Sequence, residues 1–228
     1  SNFTDFNVLE RDSRVNLFYT NNTKDIESAD IVIVPGTKST LDDLYELRKN
    51  GVAQSIIRAH RDGKTVIGVC GGYQILGQTV ADPDGIEGSI PQLPGLGLLG
   101  IDTVMTAEKE TRQVEFVFDG APCKGYEIHQ GRSTTDEQIL IEGNCIGTYI
   151  HGFLDNPSVI EYILKGKAEK IVGDLAFDVN IGGSFAQPKV TVSAASMVDN
   201  VKKKVEEKVE EVKERANIPK AFYSADLT

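Results

Sequence analysis

Cysteine is scarce in this chain: Cys70, Cys123 and Cys145 are the only three among 228 residues, and they form no Cys-x-x-Cys pair. So odd and scattered a set supplies neither a disulfide framework nor a tetrahedral zinc site, and we expect no metal and a reducing, cytoplasmic setting. Histidine is as rare, with His60, His129 and His151 alone, so a nucleophile in need of a base has few to choose from. No apolar run approaches the ~20 residues that span a bilayer, and no signal peptide is expected. Positive charge is in deficit, 24 Lys and Arg against 34 Asp and Glu for a net charge of -10. That balance speaks against a nucleic-acid surface and against anionic membranes. An initiating Met is missing too: the chain begins Ser-Asn-Phe-Thr, and a fragment of a longer polypeptide is expected. The length allows one large core with an appendage.

One stretch organises what is present: Thr65-Val66-Ile67-Gly68-Val69-Cys70-Gly71-Gly72-Tyr73-Gln74-Ile75-Leu76-Gly77. The β-branched run 65–69 reads as a strand, and it breaks at Cys70 into two glycines and an apolar pattern suited to a helix. So tight a turn pushes the first turn residue's side chain out at the carboxyl end of the sheet, the logic of a nucleophile elbow. Gly71 and Gly72 carry no Cβ to collide with the turn or a substrate. The helix behind presents free N–H groups and its positive dipole end to the sulfur, which suits a reactive thiol. A buried structural cysteine is the plainer alternative; the Gly-Gly step and the helix favour a nucleophile.

In chain order, Arg14 to Tyr19 alternates and reads as a strand, and Asp25 to Ala29 as a polar connector. The continuous run Asp30 to Val34 marks a strand buried on both faces of a parallel sheet. Helices are expected from Leu41 to Leu47 and from Val52 to about Arg61, before the Cys70 strand. This alternation of strand and helix predicts an α/β core with a mostly parallel central sheet. Beyond the turn Asp82-Pro83-Asp84-Gly85, two alternating runs, Ile101 to Thr106 and Thr111 to Phe118, suggest antiparallel additions. A strand from Gly143 to Ile150 ends at His151, so His151 and Cys70 are expected above the same edge of the sheet. A helix from Ser158 to Lys165 closes the domain, taken as residues 1–178. Residues 179–228 read as an extension, with Val198, Val201, Val205, Val209, Val212 and Ala216 forming the apolar stripe of an amphipathic helix.

Gly36-Thr37-Lys38-Ser39-Thr40 imitates the end of a phosphate-binding loop. That loop requires Gly directly before the Lys and another five residues earlier, where Thr37 and Val32 stand. Nucleotide binding here is rejected; Gly36, just past a strand end, is better placed to offer an N–H as half of an oxyanion hole. A thiol attacking a carboxamide also needs a base that protonates the departing ammonia. His151 is preferred over His129, which could line a pocket or serve structure, and His60 reads as a solvated residue of a charged helix end. No acid lies two residues past His151, where Phe153 stands.

Val-Cys-Gly-Gly-Tyr-Gln, Gly-Tyr-Glu-Ile-His-Gln-Gly-Arg and Gly-Thr-Tyr-Ile-His-Gly-Phe-Leu-Asp-Asn resemble the glutamine amidotransferase domain of the cobyric acid synthases, in the class I amidotransferase superfamily. The opening Ser-Asn-Phe-Thr-Asp-Phe and the Val-Pro-Gly-Thr-Lys-Ser-Thr loop extend the resemblance over residues 1 to 175. It implies a flavodoxin-like fold in which Cys70 attacks glutamine and His151 is its base, without the acid that completes the triad elsewhere in the superfamily. Gly36 and Gly71 would supply the oxyanion N–H groups, with Gln74 and His129 as further substrate-binding candidates. The resemblance also implies a partner, an N-terminal synthase domain of the same polypeptide that uses ATP and magnesium to amidate a corrinoid; no cofactor is expected in this stretch. The tail from Ile181 departs from the family's ending. Rival readings are the glutaminase subunit that amidates lipid II, a non-catalytic docking module, and a redox-sensing or hydrolytic relative of the same fold.

Overall fold

The computed structural model describes residues 3–172, 179–184 and 187–192. The chain divides into two units, Ser1–Asn7 with Tyr19–Ile163, and Val8–Phe18 with Leu164–Thr228. A 3-10 turn at Phe3–Phe6 and the helices α1 (Asn7–Arg11) and α2 (Thr23–Ser28) precede the first strand. The segment 25–29, expected as a connector, is thus mostly helix: the Asn22 side chain accepts from the Lys24 N–H at its start, and Ile26 is buried. A side-chain cap and one apolar anchor suffice for so short a helix.

The first unit is built on β1 (Ile31–Val34), which runs parallel to β2 (Thr65–Val69) with α3 (Thr40–Lys49) and α4 (Val52–Arg61) between them. After β2 come α5 (Gly71–Leu76), β3 (Thr79–Ala81), β4 (Gln92–Pro94), β5 (Asp102–Phe118) and β6 (Ala121–Ser133). Then follow β7 (Ile139–Glu142), β8 (Cys145–Thr148), β9 (Ile150–His151), a 3-10 turn at Phe153–Asp155 and α6 (Pro157–Val172). One sheet has the order β1-β2-β8-β7, in which β1, β2 and β8 are parallel and β7 is an antiparallel edge. The other has the order β4-β3-β5-β6-β9. The first is the mostly parallel sheet expected; its strands bury Val32, Val34, Val66 and Cys145 in one core with Leu41, Leu44, Ile56 and Leu76 of the helices. The two runs expected in the second are a single long strand, β5, whose pairing with β6 shifts register between Val104 and Lys109. A bulge there lets both halves pair while the charged Glu108-Lys109-Glu110 stays exposed.

In the second unit the strand expected at Arg14–Tyr19 is absent. Arg14 instead closes on Asp12, donating its backbone N–H and its Nε to Oδ1 at 3.0 Å, a local competitor that defeats alternation. β10 (Val179–Ser184) and β11 (Gln187–Val192) form an antiparallel hairpin where the sequence suggested only small, polar chain. The valine-striped helix expected from Val198 lies outside the described residues.

Candidate active site

Where β2 ends, Cys70 adopts φ 53° and ψ −115°, a left-handed backbone that costs a side-chain-bearing residue about 1–3 kcal/mol. Packing fixes it. Its N–H donates to the Thr148 carbonyl on neighbouring β8 at 2.8 Å, and its carbonyl accepts from Gln74 N–H at 3.2 Å. A Cβ on Gly72 would lie 1.9 Å from the Val34 carbonyl oxygen, and one on Gly71 would lie 2.7 Å from Thr37 Cγ2. The first turn of α5 therefore rests on the end of β1 and its following loop, a spacing only glycine permits. The Cys70 thiol, in a residue 8 % exposed, points at the Ile128 carbonyl of β6, 3.8 Å away.

His151 reaches the same place by a different path from the one expected. β8 lies beside β2, Val69 against Thr148, so the chain leaves the first sheet next to Cys70. It then crosses over: Thr148 Oγ1 donates to the Gln138 carbonyl and accepts from Ile150 N–H, and Ile150–His151 pairs with β6 in the second sheet. The two residues meet because β8, which leads into His151, lies beside β2, but His151 itself stands on the other sheet. Its ring stacks on Tyr126 at 5.2 Å and 17°, near enough to Cys70 for the two to influence each other's charge. Its Nδ1 lies 2.7 Å from Oδ2 of Asp5, whose Oδ1 accepts from Gly152 N–H at 3.3 Å. Burial opposes charging of this imidazole, but the hydrogen bonds and charges of Asp5 and Cys70 outweigh it and push His151 up to about 9. A Cβ on Gly36 would sit 3.3 Å from Cys70 Cβ and 3.5 Å from His151 Cε1, so the loop after β1 lies against both. Cys70, His151, Gly36 and Gly71 are thus brought together. Asp5 is the member sequence reasoning missed; its one signal was the lack of a local acid after His151 combined with an Asp in the opening motif.

The other candidates are engaged differently. Gln74 is 2 % exposed. Its Oε1 accepts from Thr40 Oγ1 at 3.1 Å, and its Nε2 donates to the Gln130 carbonyl at 2.8 Å and to Tyr149 OH at 3.2 Å. Both ends of the amide tie α5 to its neighbours. His129 stacks on Tyr149 at 3.7 Å and shares Nδ1 with the Gly131 carbonyl at 3.2 Å. Burial holds it below the usual histidine range despite Glu127, 3.9 Å away. His60 is not the solvated residue expected. It lies in the last turn of α4 with Nε2 buried and without a hydrogen-bond partner, while its carbonyl accepts from Asn144 Nδ2. The pseudo-phosphate loop is also accounted for: Glu87 Oε2 accepts from Thr40 N–H at 2.6 Å, placing a carboxylate at the head of α3 where an anion would bind.

A sequence profile of the CobB/CobQ-like glutamine amidotransferase domain matches residues 1–159. Proteins named cobyric acid synthase are 56% identical in Bacteroides fragilis, over 78% of this chain and 39% of the relative, and 53% identical in Phocaeicola vulgatus, over 75% and 38%. One from Clostridium perfringens is 42% identical over 79% of this chain and 39% of the relative. The chain therefore spans about two-fifths of the length of these curated relatives. A crystal structure of a glutamine amidotransferase superposes with a TM-score of 0.58 at 18% identity, covering 72% of this chain and 93% of that one, which shows a shared fold. Among the described residues no helix is long and apolar enough to cross a membrane. With a cysteine elbow facing a histidine on this flavodoxin-like α/β scaffold, the chain belongs to the CobB/CobQ-like glutamine amidotransferase family.

Proposed function

We propose that this chain hydrolyses glutamine as the glutaminase part of a cobyric acid synthase. The observation that carries the reading is Cys70 held at a strained elbow, with Cys70 and His151 both packed against Gly36, on a chain 56% identical to a protein of that name. The Cys70 thiolate attacks the carboxamide carbon. The N–H groups of Gly36 and Gly71 receive the oxyanion, and the His151 imidazolium gives its proton to the departing ammonia. Water then enters, His151 takes its proton, and the thioester collapses to glutamate with Cys70 restored. His129 serves as a pocket wall beside Ile128, whereas Gln74 holds α5 in place and reaches substrate only at the cost of an existing hydrogen bond.

The remaining steps belong to chain outside this stretch. Ammonia passes to an N-terminal, ATP- and magnesium-dependent domain of the same polypeptide, which amidates adenosylcobyrinic acid a,c-diamide in cobalamin biosynthesis. Residues 1–178 form the catalytic domain, 179–228 an extension, and the setting is the reducing cytoplasm. The test is mass spectrometry after treatment with diazo-oxo-norleucine, a glutamine-mimicking electrophile. A single adduct on Cys70, blocked by excess glutamine and weakened in His151→Ala, is expected. Labelling spread to Cys123 and Cys145, or none at Cys70 in folded protein, would replace the reading with a non-catalytic docking module.

A further inference from the structure

The loop that carries His151 has no room for an acid of its own. Gly152 turns the chain with φ 73°, and the second residue past the histidine, Phe153, is 1 % exposed. Its ring lies against Phe116 at 6.1 Å and Phe118 at 5.4 Å. The position is given over to packing, yet Nδ1 of His151 has a carboxylate 2.7 Å away, from a residue 146 positions distant in sequence.

We propose that Asp5 is the positioning residue of this site, fixing the His151 ring so that Nε2 faces Cys70. The proposal rests on the glutaminase reading and departs from the expectation of a Cys–His pair without an acid. An ionised carboxylate only accepts, so Nδ1 carries the proton of this bond and Nε2 is left to exchange one with the sulfur. Stacking on Tyr126 removes the ring flip that would swap the nitrogens. The two side chains are 5 and 7 % exposed, so water does not compete for either. Asp5 is itself held by Gly152 N–H, by the buried Phe6 beside it, and by the packing of its 3-10 turn on Phe153–Asp155. The titratable groups facing the ring are Asp5, Cys70 and the Tyr126 phenol. Asp155, just beyond, is itself raised by its own burial and by the Asp5 charge.

The test compares the wild-type chain with Asp5→Asn and Asp5→Glu, reading His151 ring ionisation by NMR and Cys70 inactivation by diazo-oxo-norleucine as a function of pH. In Asp5→Asn the His151 titration is expected to fall from about 9 toward the ordinary 6.5. The alkaline limb of the inactivation profile follows it, and the rate at neutral pH drops about 10²-fold, the scale of a misplaced reacting group. Asp5→Glu recovers part of both. A folded Asp5→Asn chain with His151 still titrating near 9 and an unchanged inactivation rate would overturn the proposal. Should Asp5→Asn not fold, the wild-type chain decides alone: above the His151 titration the ring proton is expected on Nδ1, and a ring protonated on Nε2 contradicts the assignment. A wild-type chain unlabelled at Cys70 would sink the glutaminase reading, and the His151 titration would still report on Asp5.

Discussion

His151 and His129 occupy nearly matched surroundings and end in opposite states. Each is well buried, stacks on a tyrosine and has a carboxylate nearby: Tyr126 and Asp5 for His151, Tyr149 and Glu127 for His129. Burial disfavours the imidazolium of both. The difference lies in whether the carboxylate is spare. Asp5 bonds His151 directly at 2.7 Å and otherwise meets a backbone N–H. Glu127 already accepts from Arg112 Nε at 2.7 Å and stands 3.9 Å from His129. So His151 is raised to about 9 while His129 is lowered. A near neighbour of the right sign counts for little once another charge has claimed it.

Cys70→Ala removes the sulfur that separates the reactive histidine from the structural one, and glutamine hydrolysis and labelling should fall on the order of 10⁴-fold or more, read by ammonia release. His151→Ala leaves the thiol without its proton partner, and a loss of about 10²–10⁴-fold in inactivation rate is expected. Gly36→Ala introduces a methyl 3.3 Å from Cys70 Cβ and 3.5 Å from His151 Cε1. Its neighbours must give by a few tenths of an ångström, so a loss of about tenfold is expected, short of the 10²–10³-fold cost of deleting an oxyanion donor. Arg112→Gln has the smallest effect and the sharpest meaning. With Glu127 released, the His129 titration should rise and that of His151 stay where it is, both followed by NMR. Linkage gives a further consequence for His151. Its folded pKa lies above the ordinary 6.5, so its stabilisation is full below pH 6.5 and is lost as pH rises through about 9. Denaturation midpoints should decline across that window in the wild-type chain, and less so in Asp5→Asn.

The elbow was legible because its causes are local: a β-branched strand, a cysteine and two glycines suffice to force the turn, and the structure adds only that Val34 and Thr37 press on those glycines. The decoy loop was legible by its missing glycines. What escaped was anything set by chain crossing or distant pairing. No local pattern announces that β8 belongs to one sheet and Ile150–His151 to the other, because that switch rests on the Thr148 hydroxyl and on β6. Asp5 escaped for the same reason, being far from His151 in sequence. Arg14–Tyr19 alternated like a strand but lost to a side chain–backbone closure on Asp12, and β5 was split in two because a bulge cannot be told from a loop by alternation.

The most direct measurement is one NMR titration of the histidine rings in the unmodified chain, where His60, His129 and His151 are few enough to assign by single substitutions. His151 is expected to stay protonated up to about pH 9, and His129 to lose its proton below the ordinary histidine range. His151 titrating near 6.5, or His129 as the more basic of the two, would contradict this expectation.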